Sequence, residues 1–164
     1  MMELPTRKAL RLPGYDYSQS GAYFLTICTE GRRCLLSSIR RGDPCGRPQV
    51  ALTDCGRAAQ EAFQRVEALC GVQFDCFVVM PNHLHFICRI DRERATARVA
   101  PTLGRIVDAY KSIVFNACKD LTKGKLWQRG YYEHVIRNEA DYREIWRYID
   151  ENPARWAVDR YYTP

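Results

Sequence analysis

The chain predicts an α+β fold: a ferredoxin-like antiparallel sheet with two helices on one face and a further helix added at the C-terminal end. Three observations carry that reading. Runs with strand character and runs with helical periodicity follow one another as strand, helix, strand, strand, helix, strand, helix, and the connections between them are mostly short. A length of 164 residues suits one domain, 1–164, with a single core. No internal repeat or low-complexity tract interrupts the order.

The first strand is "AYFLTICT" at 22–29, rich in β-branched and aromatic residues and followed by Gly31 as a turn signal. From Ser37 to Pro48 the composition shifts to "SSIRRGDPCGRP", and the segment 37–49 is expected to be a basic Gly/Pro-rich surface loop. Helix one is expected over 54–70, with Ala59, Ala62, Phe63, Val66, Leu69 and Cys70 on one face and Thr53 or Asp54 as its N-cap. "VQFDCFVVM" and "HLHFICRI" are two strands parted by Pro81 and Asn82, read as a hairpin or one long bent strand.

After the charged linker "DRERATARVA", helix two starts near Thr102 and presents Leu103, Ile106, Val107, Tyr110, Val114 and Ala117 on one face. "LWQRGYYEHVIR" supplies a strand or hairpin. Helix three is "EADYREIWRYIDEN", expected to stop at Pro153 because the residue before a proline is pushed out of the helical region.

Composition narrows the function classes. No apolar run is long enough to span a membrane and the N-terminal stretch lacks a signal-peptide core, so a cytoplasmic, nucleoid-associated protein with no membrane partner is expected. Eight cysteines are scattered without a CxxC pair, which favours buried reduced thiols over a disulfide framework. The net charge of +6, with basic clusters at Arg7 and Lys8, Arg32 and Arg33, Arg40 and Arg41, and 119–125, is compatible with a polyanionic partner.

The residues that stand out chemically are His83 and His85. On a strand, positions two apart share a face, so the two imidazoles project side by side while Leu84 turns away. A pair so placed can hold one divalent metal, or be two strand histidines satisfied by water and backbone. On helix three, Tyr148 and Asn152 are four apart and share a face, at the edge of an apolar stripe of Tyr142, Ile145, Trp146 and Ile149.

Four separated blocks, "LPGYDYSQSGAYFLTICT" at 12–29, "FVVMPNHLHFI" at 77–87, "KLWQRGYYEHVIRNEADY" at 125–142 and "YIDENPARW" at 148–156, resemble the REP-associated tyrosine transposases of the single-tyrosine HUH class. The resemblance runs from about residue 12 to about residue 160. It implies that His83 and His85 bind a divalent metal, Mg²⁺ or Mn²⁺, that Asn152 completes the site, and that Tyr148 on the added C-terminal helix is the nucleophile. The rival tyrosines Tyr131, Tyr132 and Tyr142 are expected to pack or to stack on bases. Glu133 and His134 are expected beside the metal, on DNA, or in a structural hydrogen bond.

The activity so implied is metal-dependent cleavage and strand transfer of single-stranded or hairpin DNA through a 5′-phosphotyrosine, by a monomer, with a homodimer as the alternative. Lys111, Arg137, Arg40 and Arg41 are the candidate DNA contacts. The 38–49 segment is where the chain looks least like the family pattern. A non-catalytic single-stranded nucleic-acid-binding module and a domesticated transposase are the alternative readings. A zinc hydrolase is disfavoured because no HExxH-type motif supplies a third ligand and a base.

Overall fold

Residues 14–40, 42, 46–92 and 101–164 are described by the structure, a computed structural model; Arg41, Cys45 and most of the expected charged linker lie outside them. The elements are β1 (Gly21–Cys28), β2 (Ser37–Arg40), β3 (Gln49–Leu52), α1 (Asp54–Cys70), β4 (Val72–Val79), β5 (His83–Ile90), α2 (Leu103–Cys118), β6 (Tyr132–Ile136) and α3 (Glu139–Glu151).

Four strands form an antiparallel sheet in the order β4-β5-β1-β6. With the β2–β3 pair set aside, this is the strand order of a ferredoxin-like βαββαβ unit, and the expected α+β architecture is what the chain adopts. β4 and β5 are a true hairpin about Pro81 and Asn82, closed by Met80 N–H donating to the His83 carbonyl at 2.9 Å.

Alternation along the central strands separates two layers. Tyr23, Leu25 and Ile27 of β1, with Leu84, Phe86, Cys88 and Ile90 of β5, join α1 and α2 in the main core. The intervening residues face the opposite way, where Phe24 and Ile87 meet Ile145 and Ile149 of α3 in a smaller cluster. The nucleophile candidate's helix therefore covers the face that α1 and α2 leave open.

Local chemistry sets the helix boundaries. Thr53, Thr102 and Asn138 cap α1, α2 and α3, each side chain accepting a backbone N–H from three residues on. α1 ends at Gly71, whose φ of +67° lies in the left-handed region that glycine enters without steric cost. Gly56 is tolerated near the start of α1 because a Cβ there would lie 1.9 Å from the Leu36 carbonyl oxygen, so the close approach of chain to helix demands glycine.

Two expectations are corrected. The segment 37–49 is not a loop throughout: its ends pair as a separate antiparallel ribbon, with Ile39 opposite Val50 and Arg40 opposite Gln49. It does stay out of the main sheet. Pro153 does not push Asn152 out of helical geometry; Asn152 keeps φ −58° and ψ −41°, and the chain continues as a 3-10 turn over Asn152–Val158. Proline sits there in the first positions of a new turn, where its missing N–H is not needed.

Candidate active site

His83 and His85 lie on the α3 face of β5, opposite Cys28 and Thr26 of the neighbouring β1, and both are fully buried. Their ring centroids are 4.5 Å apart. Burying the two imidazoles favours their neutral forms: burial drives His83 down to about 4 against the opposing charge of Asp159, and holds His85 well below its ordinary range, helped by His83 and Arg160.

The hydrogen bonds around each ring direct its lone pair. Asn82 is buried and its Nδ2 donates to the Tyr161 carbonyl at 2.8 Å and the Arg32 carbonyl at 3.2 Å, which fixes the amide orientation. Its Oδ1 then accepts from His83 Nδ1–H at 2.9 Å, leaving the lone pair on Nε2, a buried atom with no hydrogen-bond partner. His85 is bonded through Nδ1 to Thr26 Oγ1 at 2.8 Å; with Nδ1–H donating, its Nε2 lone pair faces Tyr148 Oη at 3.3 Å.

Two more oxygens converge. Asn152 is buried, and its Nδ2 donates to Asp159 Oδ2 at 3.1 Å, so its Oδ1 is a second buried acceptor without a donor. One ligand atom from each of His83, His85 and Asp159 lies within 4.8 Å of the others. Unpaired acceptors gathered in a buried place repel one another and lack the water that would solvate them. Two imidazoles, an amide oxygen and a carboxylate are the donor set of a divalent cation, and the residues present fit one.

Tyr148 stands at the edge of this cluster, half-buried, its ring edge-on to Phe24 with centroids 6.0 Å apart and 5.1 Å from the His85 ring. Burial raises its hydroxyl above the ordinary tyrosine range, the Asp159 charge adds to that, and the Arg160 guanidinium opposes it. The segment after the 3-10 turn closes the other side. Tyr161 stacks toward His83 with centroids 4.6 Å apart, and Arg160 lies 4.6 Å over the Tyr161 ring.

Sequence reasoning singled out His83, His85, Tyr148 and Asn152, and the structure brings all four together. His134 lies on the same sheet face but opposite Phe24, where its Nε2 meets Asp141 Oδ2 at 2.9 Å and ties β6 to the first turn of α3. Glu133 points to the other face, opposite Leu25, away from the histidines. Tyr142 donates to Asp75 Oδ2 at 2.9 Å, Tyr131 packs at the border of the main core, and Tyr132 lies under Arg160. Among the candidate cations, Arg137 and Arg40 are exposed. Lys111 is half-buried and gives its ammonium to the Gln128 and Gly130 carbonyls at 2.9 and 2.6 Å, so it clamps the loop before β6.

Asn82, Asp159, Arg160 and Tyr161 were missed. Asn82 carried a signal, being a polar residue beside His83 at the mouth of a buried strand. The other three reach the site only because the chain turns back through the 3-10 segment, which no local pattern announces.

A family model described as "Transposase IS200 like" matches residues 44–152. The chain belongs to the IS200-like transposase family. Such proteins are tyrosine transposases, enzymes that act on DNA. A Haemophilus influenzae protein of uncharacterised function is 35% identical over 95% of this chain and 93% of its own length. The REP-associated tyrosine transposase of Escherichia coli K12 is 26% identical over 85% of this chain and 70% of its own length. Among solved structures, a REP-associated tyrosine transposase bound to a REP hairpin superposes with a TM-score of 0.63 at 23% identity, covering 88% of this chain and 73% of that one. This IS200-like chain has no helix among its described residues long and apolar enough to cross a membrane.

Proposed function

We propose that this transposase is a divalent-metal-dependent nickase and strand transferase that acts, as a monomer at the nucleoid, on hairpin DNA with a single-stranded flank. The observation that carries this reading is the meeting of Tyr148 Oη with His85 Nε2 at 3.3 Å beside the buried, partnerless His83 Nε2 and Asn152 Oδ1. The solved relative holds a REP hairpin, which supports a hairpin as the substrate.

His83, His85, Asn152 and Asp159 would hold Mg²⁺ or Mn²⁺, which supplies Lewis-acid polarisation of a scissile phosphate. The chain's own residues do the rest. Phe24 and His85 wall the Tyr148 ring so that the hydroxyl points toward the acceptor cluster and not into solvent. Arg160 places a positive charge near that hydroxyl, where a phosphate would arrive. The phenol oxygen forms its bond to phosphorus as the bond to the 3′ oxygen breaks, and the phenol's proton is balanced by the one taken up on that departing 3′ oxygen. A 5′-phosphotyrosine and a 3′ hydroxyl result. One phosphodiester replaces another, so a second 3′ hydroxyl can reverse the step without nucleotide hydrolysis.

The test is a labelled hairpin from the gene's own flanks, incubated with protein and Mn²⁺ or EDTA and run on a denaturing gel. A metal-dependent covalent adduct is expected, reduced on the order of a thousandfold in Tyr148→Phe. Hairpin binding with no adduct under any divalent metal would replace this reading with a non-catalytic binding module.

A further inference from the structure

The β2–β3 ribbon and the 3-10 turn that follows α3 face each other. Between them lies a cleft of about 610 Å³, within the roughly 300–1,000 Å³ range of small-ligand sites. Ile39, Arg40 and Pro48 form one wall; Pro153, Ala154 and Trp156 form the other. Among the described lining residues none is acidic, and Arg40 is the charged one.

Trp156 connects this cleft to the chemistry. Its ring lies 6.0 Å from that of His83, so whatever rests on the indole sits beside the acceptor cluster. Tyr162 meets Trp156 edge-on at 5.2 Å and steadies it. Asn152, which turns its amide to the cluster, is followed directly by Pro153, which lines the cleft. The two sites therefore share one turn of chain.

We propose that the cleft is a subsite for one unpaired base of the DNA flank next to the cleaved phosphate. This rests on the reading of Tyr148 given above. An aromatic face among apolar walls takes any base by stacking, and a guanidinium at the rim meets the phosphate that accompanies it. Small residues on both walls, Gly42 and Gly46 on one and Ala154 and Ala157 on the other, leave room for a ring. The ribbon thus sets which nucleotide is accepted beside the cut.

An oligothymidylate carrying one 5-iododeoxyuridine, irradiated with the full-length protein and digested, should yield a peptide cross-linked at Trp156. Ala154→Trp fills the cleft from an exposed position and should abolish that cross-link. It should also weaken binding of the unsubstituted oligomer about tenfold in fluorescence anisotropy, with an unchanged melting curve. Trp156→Phe keeps a stacking face and should bind within about threefold of the parent. Cross-links confined to exposed rings such as Tyr132 and Trp146, with Ala154→Trp binding at full strength, would overturn the subsite. The Tyr148 adduct, scored on the same samples with a hairpin, would stand or fall separately.

Discussion

At the scale of single residues, the site is organised by amides as much as by imidazoles. Asn82 uses its donor to hold the returning chain and its acceptor to fix the His83 tautomer, two tasks that one substitution can separate. Asn82→Ala removes both and should lower Mn²⁺ affinity about 10- to 100-fold, read by titration calorimetry without DNA. Asn82→Asp keeps an acceptor for Nδ1–H and should retain more of that affinity; equal affinity in all three proteins would refute the tautomer assignment. The His83 and His85 pair was legible from strand alternation, and Tyr148 with Asn152 from helical spacing joined to family likeness. Asp159 was illegible because a lone carboxylate in "AVDRYY" carries no period, and its meaning comes from a turn that brings it back over β5.

At the scale of elements, α1, α2 and α3 matched their expected spans closely because each has a capping residue ahead of a periodic apolar face. The ribbon was missed because Gly and Pro dominate 42–48 and mask two short strands at its ends. α3 does stop ahead of Pro153, at Glu151, but not because Asn152 leaves helical geometry: the missing proline N–H cannot donate back into α3, while a fresh turn that begins on the proline does not need it. α3 carries the proposed nucleophile, and its start is held by Asn138 Oδ1 accepting from Asp141 N–H at 2.9 Å. Asn138→Ala should cost about 1 kcal/mol in urea unfolding and reduce adduct yield in parallel. An unchanged midpoint would show that the cap contributes nothing beyond what water supplies.

At the scale of the whole molecule, the two buried histidines make the metal-free protein acid-sensitive. The unfolded chain takes up a proton on each histidine near pH 6.5, whereas folded His83 does so only near 4 and His85 also well below its ordinary range. The unfolded state therefore binds more protons in that window, and stability falls as pH drops from about 6.5 to about 4, by about 1.4 kcal/mol per pH unit for each such proton. Carboxylates such as Asp16, held low by Ser18, lose their contribution only at more acid pH. Urea midpoints in EDTA at pH 7 and pH 5 check this; equal midpoints would contradict neutral burial of the pair. The sheet itself has two unequal sides, a large core under α1 and α2 and, on the other, a small cluster in which Phe24 and Ile87 meet Ile145 and Ile149 of α3. Inheritance acts on the two sides separately. A gene copy that drifts only within Glu139–Glu151 would lose the helix proposed to carry the nucleophile while every residue of the core under α1 and α2 stays in place, so the chain can still fold. Silent copies of such a gene would therefore persist as well-behaved proteins, and solubility would say nothing about which copy can still move DNA.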